Sequence, residues 1–138
     1  MNLNLMSKIG GGTAPLIPTV AFSEIRSHSA DGIVIHWDRP IVLTAHIKDA
    51  ISIIINGGAP VHPQAVHINP NDPLEMVLVH HPDFNVGDVV TWAYDDQHPT
   101  ETITDANGKE ADNQTYAVSN LIVTLGAFSD AFDNSFEI

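Results

Sequence analysis

Ile33-Val34-Ile35-His36-Trp37-Asp38, closed by Arg39-Pro40, is the stretch that decides the fold class. Ile33, Ile35 and Trp37 alternate with Val34, His36 and Asp38, the two-residue period of a half-buried strand. Proline ends such a strand because it has no N–H to give to a ladder. The same pattern recurs on both sides. Upstream, Val20, Phe22 and then Glu24 to Ile25 open a first strand, and Ser27-His28-Ser29-Ala30-Asp31-Gly32 is turn material. Downstream come Ile41-Val42-Leu43 and residues 50–56, the latter with Ile51, Ile53 and Ile55 on one face and Asn56-Gly57-Gly58 as a turn.

A short strand over residues 65–69 precedes the turn Pro70-Asn71-Asp72-Pro73. Leu74, Met76 and Leu78 then oppose Glu75, Val77 and Val79, so that strand is apolar on both faces and belongs in the middle of a sheet. Val90, Trp92 and Tyr94 share one face, between the turns Asn85-Val86-Gly87-Asp88 and Asp105-Ala106-Asn107-Gly108, and residues 116–125 supply the last strand. No amphipathic helix of useful length competes. Seven or eight short strands with frequent turns predict an all-β antiparallel sandwich. Trp37 and Trp92, each in mid-strand on an apolar face, are predicted to lie in its core.

The chain has 138 residues, the size of one domain, and 43% of them are hydrophobic, which excludes disorder throughout. No stretch approaches the 18 consecutive apolar residues of a membrane span. Five Lys and Arg stand against 17 Asp and Glu, a net charge of −12 that disfavours nucleic acid and anionic lipid as partners. With no cysteine there is no disulfide, thiolate metal site or cysteine nucleophile. The first residues, Met1-Asn2-Leu3-Asn4-Leu5-Met6, lack the basic-then-apolar order of a signal peptide, so synthesis and assembly in a cytoplasm are expected.

Three parts follow from composition: an N-terminal arm over residues 1–18, the sandwich over 19–125 and an aromatic, acidic tail over 126–138. Gly10-Gly11-Gly12, Pro15 and Pro18 keep the arm extended, yet Leu3, Leu5 and Ile9 are apolar. In the tail, Phe128, Phe132 and Phe136 recur every four residues among Asp130, Asp133 and Glu137. These six apolar side chains are the predicted partner-binding residues, because a core closed by Leu125 has no room for them.

Chemistry is sparse. His80-His81-Pro82-Asp83 gathers two imidazoles and a carboxylate, but adjacent strand residues point to opposite faces and cannot share a metal. Asp105 to Asp112 resembles the start of a calcium loop, but Tyr116 stands where the closing Glu belongs. No nucleophile elbow, phosphate loop or zinc-protease motif is present, so no catalytic residue, cofactor or metal is assigned and the chain reads as a non-enzyme.

From residue 49 to 120 the sequence resembles the bacterial immunoglobulin-like modules of the SwmB type. The likeness rests on a strand ending in Ile54-Ile55-Asn56-Gly57 and followed by a hairpin, on Val86-Gly87-Asp88-Val89-Val90-Thr91-Trp92-Ala93-Tyr94, on Asp105-Ala106-Asn107-Gly108-Lys109 and on Val118-Ser119-Asn120. Lys109 departs from the asparagine usual there. The resemblance implies an immunoglobulin-like sandwich that acts as scaffold or spacer in surface proteins and in phage structural proteins. The Ala127-Phe128-Ser129 and Ala131-Phe132 pair is similar to endings of tailed-phage structural proteins. Together they predict a virion protein of a tailed bacteriophage: a capsid decoration or cement protein, or a head or tail attachment module. Its predicted partners are other virion structural proteins, the major capsid protein among them, and further copies of itself. The alternative is a glycan-binding adhesion module, which needs an exposed Trp or Tyr.

Overall fold

The alternating rows meet face to face. In the structure, a computed structural model that describes residues 17–123, the first sheet holds β1 (Val20–Arg26), β2 (Ser29–Trp37), β5 (Ala65–Ile68), β6 (Glu75–Val79) and β10 (Ser119–Asn120), in the order β10-β1-β2-β6-β5. The second holds β4 (Ile51–Ile55), β7 (Val90–Tyr94) and β9 (Gln114–Ala117), in the order β9-β7-β4. β3 (Ile41–Leu43) and β8 (Ile103–Asp105) pair as a separate ribbon. Four strands of one sheet in the order first, second, sixth, fifth, facing three of the other, is the immunoglobulin arrangement.

The sequence period fixes which side chains meet between the sheets. Ile33 pairs with Leu78 and Ile35 with Met76 on the first sheet, while Ile53 pairs with Trp92 on the second. All of these are fully buried, with Ile25, Trp37 and Ile51. Trp37 and Trp92 both have 0% exposure and meet edge to face, ring centroids 6.4 Å apart at 65°. Trp92 also stacks on Tyr116 at 4.3 Å, and its Nε1 donates across the sandwich to Ser23 Oγ at 3.0 Å. Tyr94 Oη accepts from the Ile103 backbone N–H at 3.0 Å and donates to Glu110 Oε2 at 2.6 Å, and burial pushes its hydroxyl pKa up.

Three expectations are corrected. The described residues form ten strands, not seven or eight, because the β3–β8 ribbon and a divided last strand add to the sandwich. The strand predicted over residues 116–125 changes sheets. Val118 N–H still donates to Val90 O, but Leu121 N–H donates to Ile25 O on the other sheet. That transfer also makes β10 parallel to β1, the one parallel pairing among the described strands. Finally, Asn56-Gly57 turns the chain in the left-handed region, at φ 53° and 73°, but does not join two strands of one sheet. Val61 makes a single bridge to Ile53 before the chain crosses to β5.

The two tryptophans differ in one respect that can be measured. Among the described residues Trp37 Nε1 is buried with no acceptor, whereas Trp92 Nε1 has Ser23. Replacing Trp37 by Phe removes an unsatisfied donor; replacing Trp92 by Phe strands the buried Ser23 hydroxyl. Both lose volume, but Trp92→Phe should cost more by about 1 kcal/mol. Urea unfolding midpoints with matched slopes read the difference, and equal or reversed costs would contradict it.

Candidate functional site

The strand order determines where the chain comes in and where it leaves. β1 runs from Val20, beside Trp37, to Arg26, beside Ser29, and β10 lies parallel to it with Ser119 opposite Glu24 and Asn120 opposite Ile25. The described chain therefore comes in at one pole of the sandwich and leaves at the other, roughly 20 Å along the strands at about 3.3 Å per residue.

The incoming pole is held by ion pairs and turn caps. Thr19 N–H donates to Asp38 Oδ1 at 3.0 Å, and Asp38 N–H donates back to Thr19 O at 2.9 Å. The Arg39 guanidinium bonds Asp38 twice, both at 3.1 Å, and reaches Asp105 Oδ2 at 3.2 Å. Asp105 Oδ1 accepts from the N–H groups of Asn107 at 2.9 Å and Lys109 at 3.0 Å. Those backbone donors, the Lys109 one first, and the Arg39 charge hold the Asp105 pKa below the usual carboxylate range. The loop suggestive of calcium is thus an aspartate-capped turn with Gly108 at φ 80°.

At the outgoing pole Asn120 Nδ2 donates to the carbonyls of Asn85 at 2.9 Å and Asp88 at 3.0 Å. Asn56 ties the same loop, donating to Asp88 Oδ1 at 3.0 Å and accepting from Val89 N–H at 2.8 Å. Around this knot Val86, Val89, Leu121 and Val123 are exposed, Val89 by 69%. Between the poles, the outer face of the five-stranded sheet carries a groove of ≈ 310 Å³ lined by Arg26, His28, His67, Asn69 and Val77, among others. Gly32 deepens it, since a Cβ there would come within 3.3 Å of the Val77 side chain. Arg26 bridges Glu24 at 2.7 Å and Glu75 at 3.0 Å across its rim.

The predicted residues fall as follows. Leu3, Leu5, Ile9, Phe128, Phe132 and Phe136 lie outside the described residues. His80 is buried, stacks on Phe84 at 4.5 Å and pairs through Nδ1 with Pro82 O, while His81 is exposed, so the two imidazoles are not brought together. Trp37, Trp92 and Tyr94 offer no face to solvent, and Tyr116, half-buried, has one face stacked on Trp92 at 4.3 Å, so the glycan-binding alternative is left with the edge of that one ring among these four. The Arg26–Glu24–Glu75 network was missed. Glu24 and Arg26 share a face by their spacing, but the link to Glu75 spans 49 residues and depends on the strand order.

Neither a protein-family profile nor a curated protein sequence matches the chain. Solved structures do. The S-layer protein rSbsC(31-844) superposes with a TM-score of 0.62 at 18% identity over 78% of this chain and 14% of its own. The N-terminal part of the bacterial S-layer protein SbsC gives 0.61 at 18% over 78% of this chain and 24% of its own, and domains 1-6 of surface layer protein SbsC give 0.61 over 78% and 14%. The chain thus spans a quarter or less of the proteins it matches. At this identity the likeness shows the fold. It lies with a bacterial S-layer protein, and the expectation of a tailed-bacteriophage virion protein, whether capsid decoration, cement protein or attachment module, is corrected by it. The physical reason is that an immunoglobulin-like body is common to surface and phage proteins. The aromatic tail that tipped the reading toward phage lies outside the described residues.

The depressed pKa of Asp105 has a consequence for stability. A carboxyl whose folded pKa lies below its unfolded value stabilises the fold above roughly pH 4, and that contribution is lost as pH falls through the folded pKa. Acid also relieves the repulsion of a chain with net charge −12, so the absolute curve mixes two effects. Comparison with Asp105→Asn separates them. The variant should be less stable at pH 7, and the gap should narrow as pH falls below about 4. A gap in urea midpoint that stays constant from pH 7 to 3 would contradict this role.

Proposed function

We propose that the chain is a non-catalytic structural module of a bacterial surface layer, an immunoglobulin-like spacer that transmits load between the segments on either side of it. The observation that carries this reading is the placement of the incoming and outgoing chain at opposite poles, with the first and last strands paired in parallel. A module so connected extends a string without folding it back. The exposed Val86, Val89, Leu121 and Val123 around the outgoing chain form an apolar collar against which a following segment would pack. The likeness to parts of SbsC and the SwmB-type resemblance both support a surface role, and its partners are neighbouring modules. Antibody against the folded domain should label the outside of intact source cells; label confined to their interior would reject the reading.

The pairing geometry yields a mechanical test. Pulling on the two ends slides β10 along β1, so the bonds between them share the load in shear. Pulling apart two points at one pole opens bonds one at a time. End-to-end pulling of single molecules should therefore meet a higher unfolding force than pulling between the N-terminus and a cysteine placed at Asn107. Leu121→Pro removes the N–H that reaches Ile25 O. It should lower the end-to-end force while shifting the melting temperature by only roughly 3–6 °C, the effect of about 1 kcal/mol. Equal forces in the two directions would rule out a load-bearing role.

A further inference from the structure

Among the described residues one group of side chains has the composition and spacing of a metal-ligand set: His36, Asp72 and Glu75. One donor atom from each lies within 4.8 Å of the others. The fold brings them together from two places. His36 is on β2 and stands directly opposite Glu75 on β6, which puts both on the outer face of the first sheet. Asp72 belongs to the turn that leads into β6, and that turn is closed on itself. Its side chain accepts from Leu74 N–H at 3.0 Å, and its carbonyl accepts from Glu75 N–H at 2.9 Å. The imidazole is held from the other side by Phe22, stacked at 5.1 Å with the rings 4° from parallel.

We propose that His36, Asp72 and Glu75 form a binding site for a divalent transition ion of the zinc class. One imidazole nitrogen and two carboxylate oxygens suit a borderline cation, while calcium and magnesium favour all-oxygen sets. Zinc ligands sit at about 2.0–2.2 Å from the ion and so roughly 3.4 Å from one another. The three donors have only a short distance to close, and three protein ligands leave a position for water or an incoming group.

The obstacle is Arg26, whose guanidinium already bonds Glu75, and it is also informative. Arg26 is held by Glu24 at 2.7 Å as well, so it keeps a partner when Glu75 turns to an ion. Glu75 Oε1 accepts from Asn69 Nδ2 at 3.0 Å, and each carboxylate oxygen retains a second lone pair. Three carboxylates against one guanidinium leave a local excess of negative charge that a divalent ion neutralises. The guanidinium is thus a competitor for the site, and its removal should strengthen binding. A purely structural ion-pair cluster would show no such gain. The inference stands apart from the surface-layer reading and survives that reading's failure.

The test uses the untagged full chain and zinc chloride alone in isothermal titration calorimetry. One ion should bind per chain with a dissociation constant in the micromolar range, and zinc should raise the melting temperature. His36→Gln should abolish both effects, while His81→Gln, which alters an exposed imidazole outside the set and outside the groove, should change neither. Asp72→Asn keeps the oxygen that caps Leu74 and carries the same test should His36→Gln fail to fold. Arg26→Gln should bind zinc several-fold more tightly. No binding at millimolar zinc, parental affinity in His36→Gln or Asp72→Asn, or unchanged or weaker binding in Arg26→Gln would overturn the proposal.

Discussion

Trp92 joins every layer of the structure that the sandwich has to keep together. Its ring fills the space between the sheets edge-on to Trp37, its stacking partner Tyr116 belongs to the neighbouring β9, and its Nε1 reaches Ser23 on β1. A buried aromatic of this size contributes a large part of a net stability of about 5–15 kcal/mol. The hydrogen bond adds something that apolar contact cannot. It fixes the register of the second sheet against β1, because Ser23 is buried and has to face the indole. β1 in turn is the strand on which β10 lies, so the path of the outgoing chain depends on this one side chain.

The parts of the fold that were legible in the sequence are those set by local period. Ile33, Ile35 and Trp37, then Ile51 and Ile53, then Val90, Trp92 and Tyr94 are buried as alternation predicts. The two-faced strand around Met76 and Leu78 does lie inside its sheet, with β2 on one side and β5 on the other. What period cannot carry is a change of partner in mid-segment. Residues 114–120 keep a strand-like pattern throughout, yet the chain leaves one sheet and joins the other at Val118. Asn56-Gly57 similarly specifies a left-handed turn without specifying that the strands on either side share a sheet.

The candidate sites were less legible because they depend on strand order. His36, Asp72 and Glu75 are separated by up to 39 positions, and Arg26 lies 49 from Glu75; only the placement of β2 between β1 and β6 brings them to one face. The sequence drew attention to His80 and His81 because they are adjacent. Adjacency in a chain that has just left a strand separates side chains, and here it buries one imidazole against Phe84 and exposes the other.

The acidity of the chain also takes on a physical meaning once the turns are in place. Side-chain oxygens of Asp72, Asp88, Asp95 and Asp105 each accept from backbone N–H groups of their own loop. These are the donors that short, tight connections leave without ladder partners, and aspartate satisfies them locally. Many short strands need many such turns, so a sandwich of this kind accumulates carboxylates without any ligand to bind. Cations are used sparingly: of the five Lys and Arg, Arg26 and Arg39 each hold two carboxylates, and each joins segments far apart in sequence. Net charge is therefore a poor guide to partners here. The informative carboxylates are the few beside an imidazole, and among the described residues Glu75 is approached by an arginine, an asparagine and a histidine together.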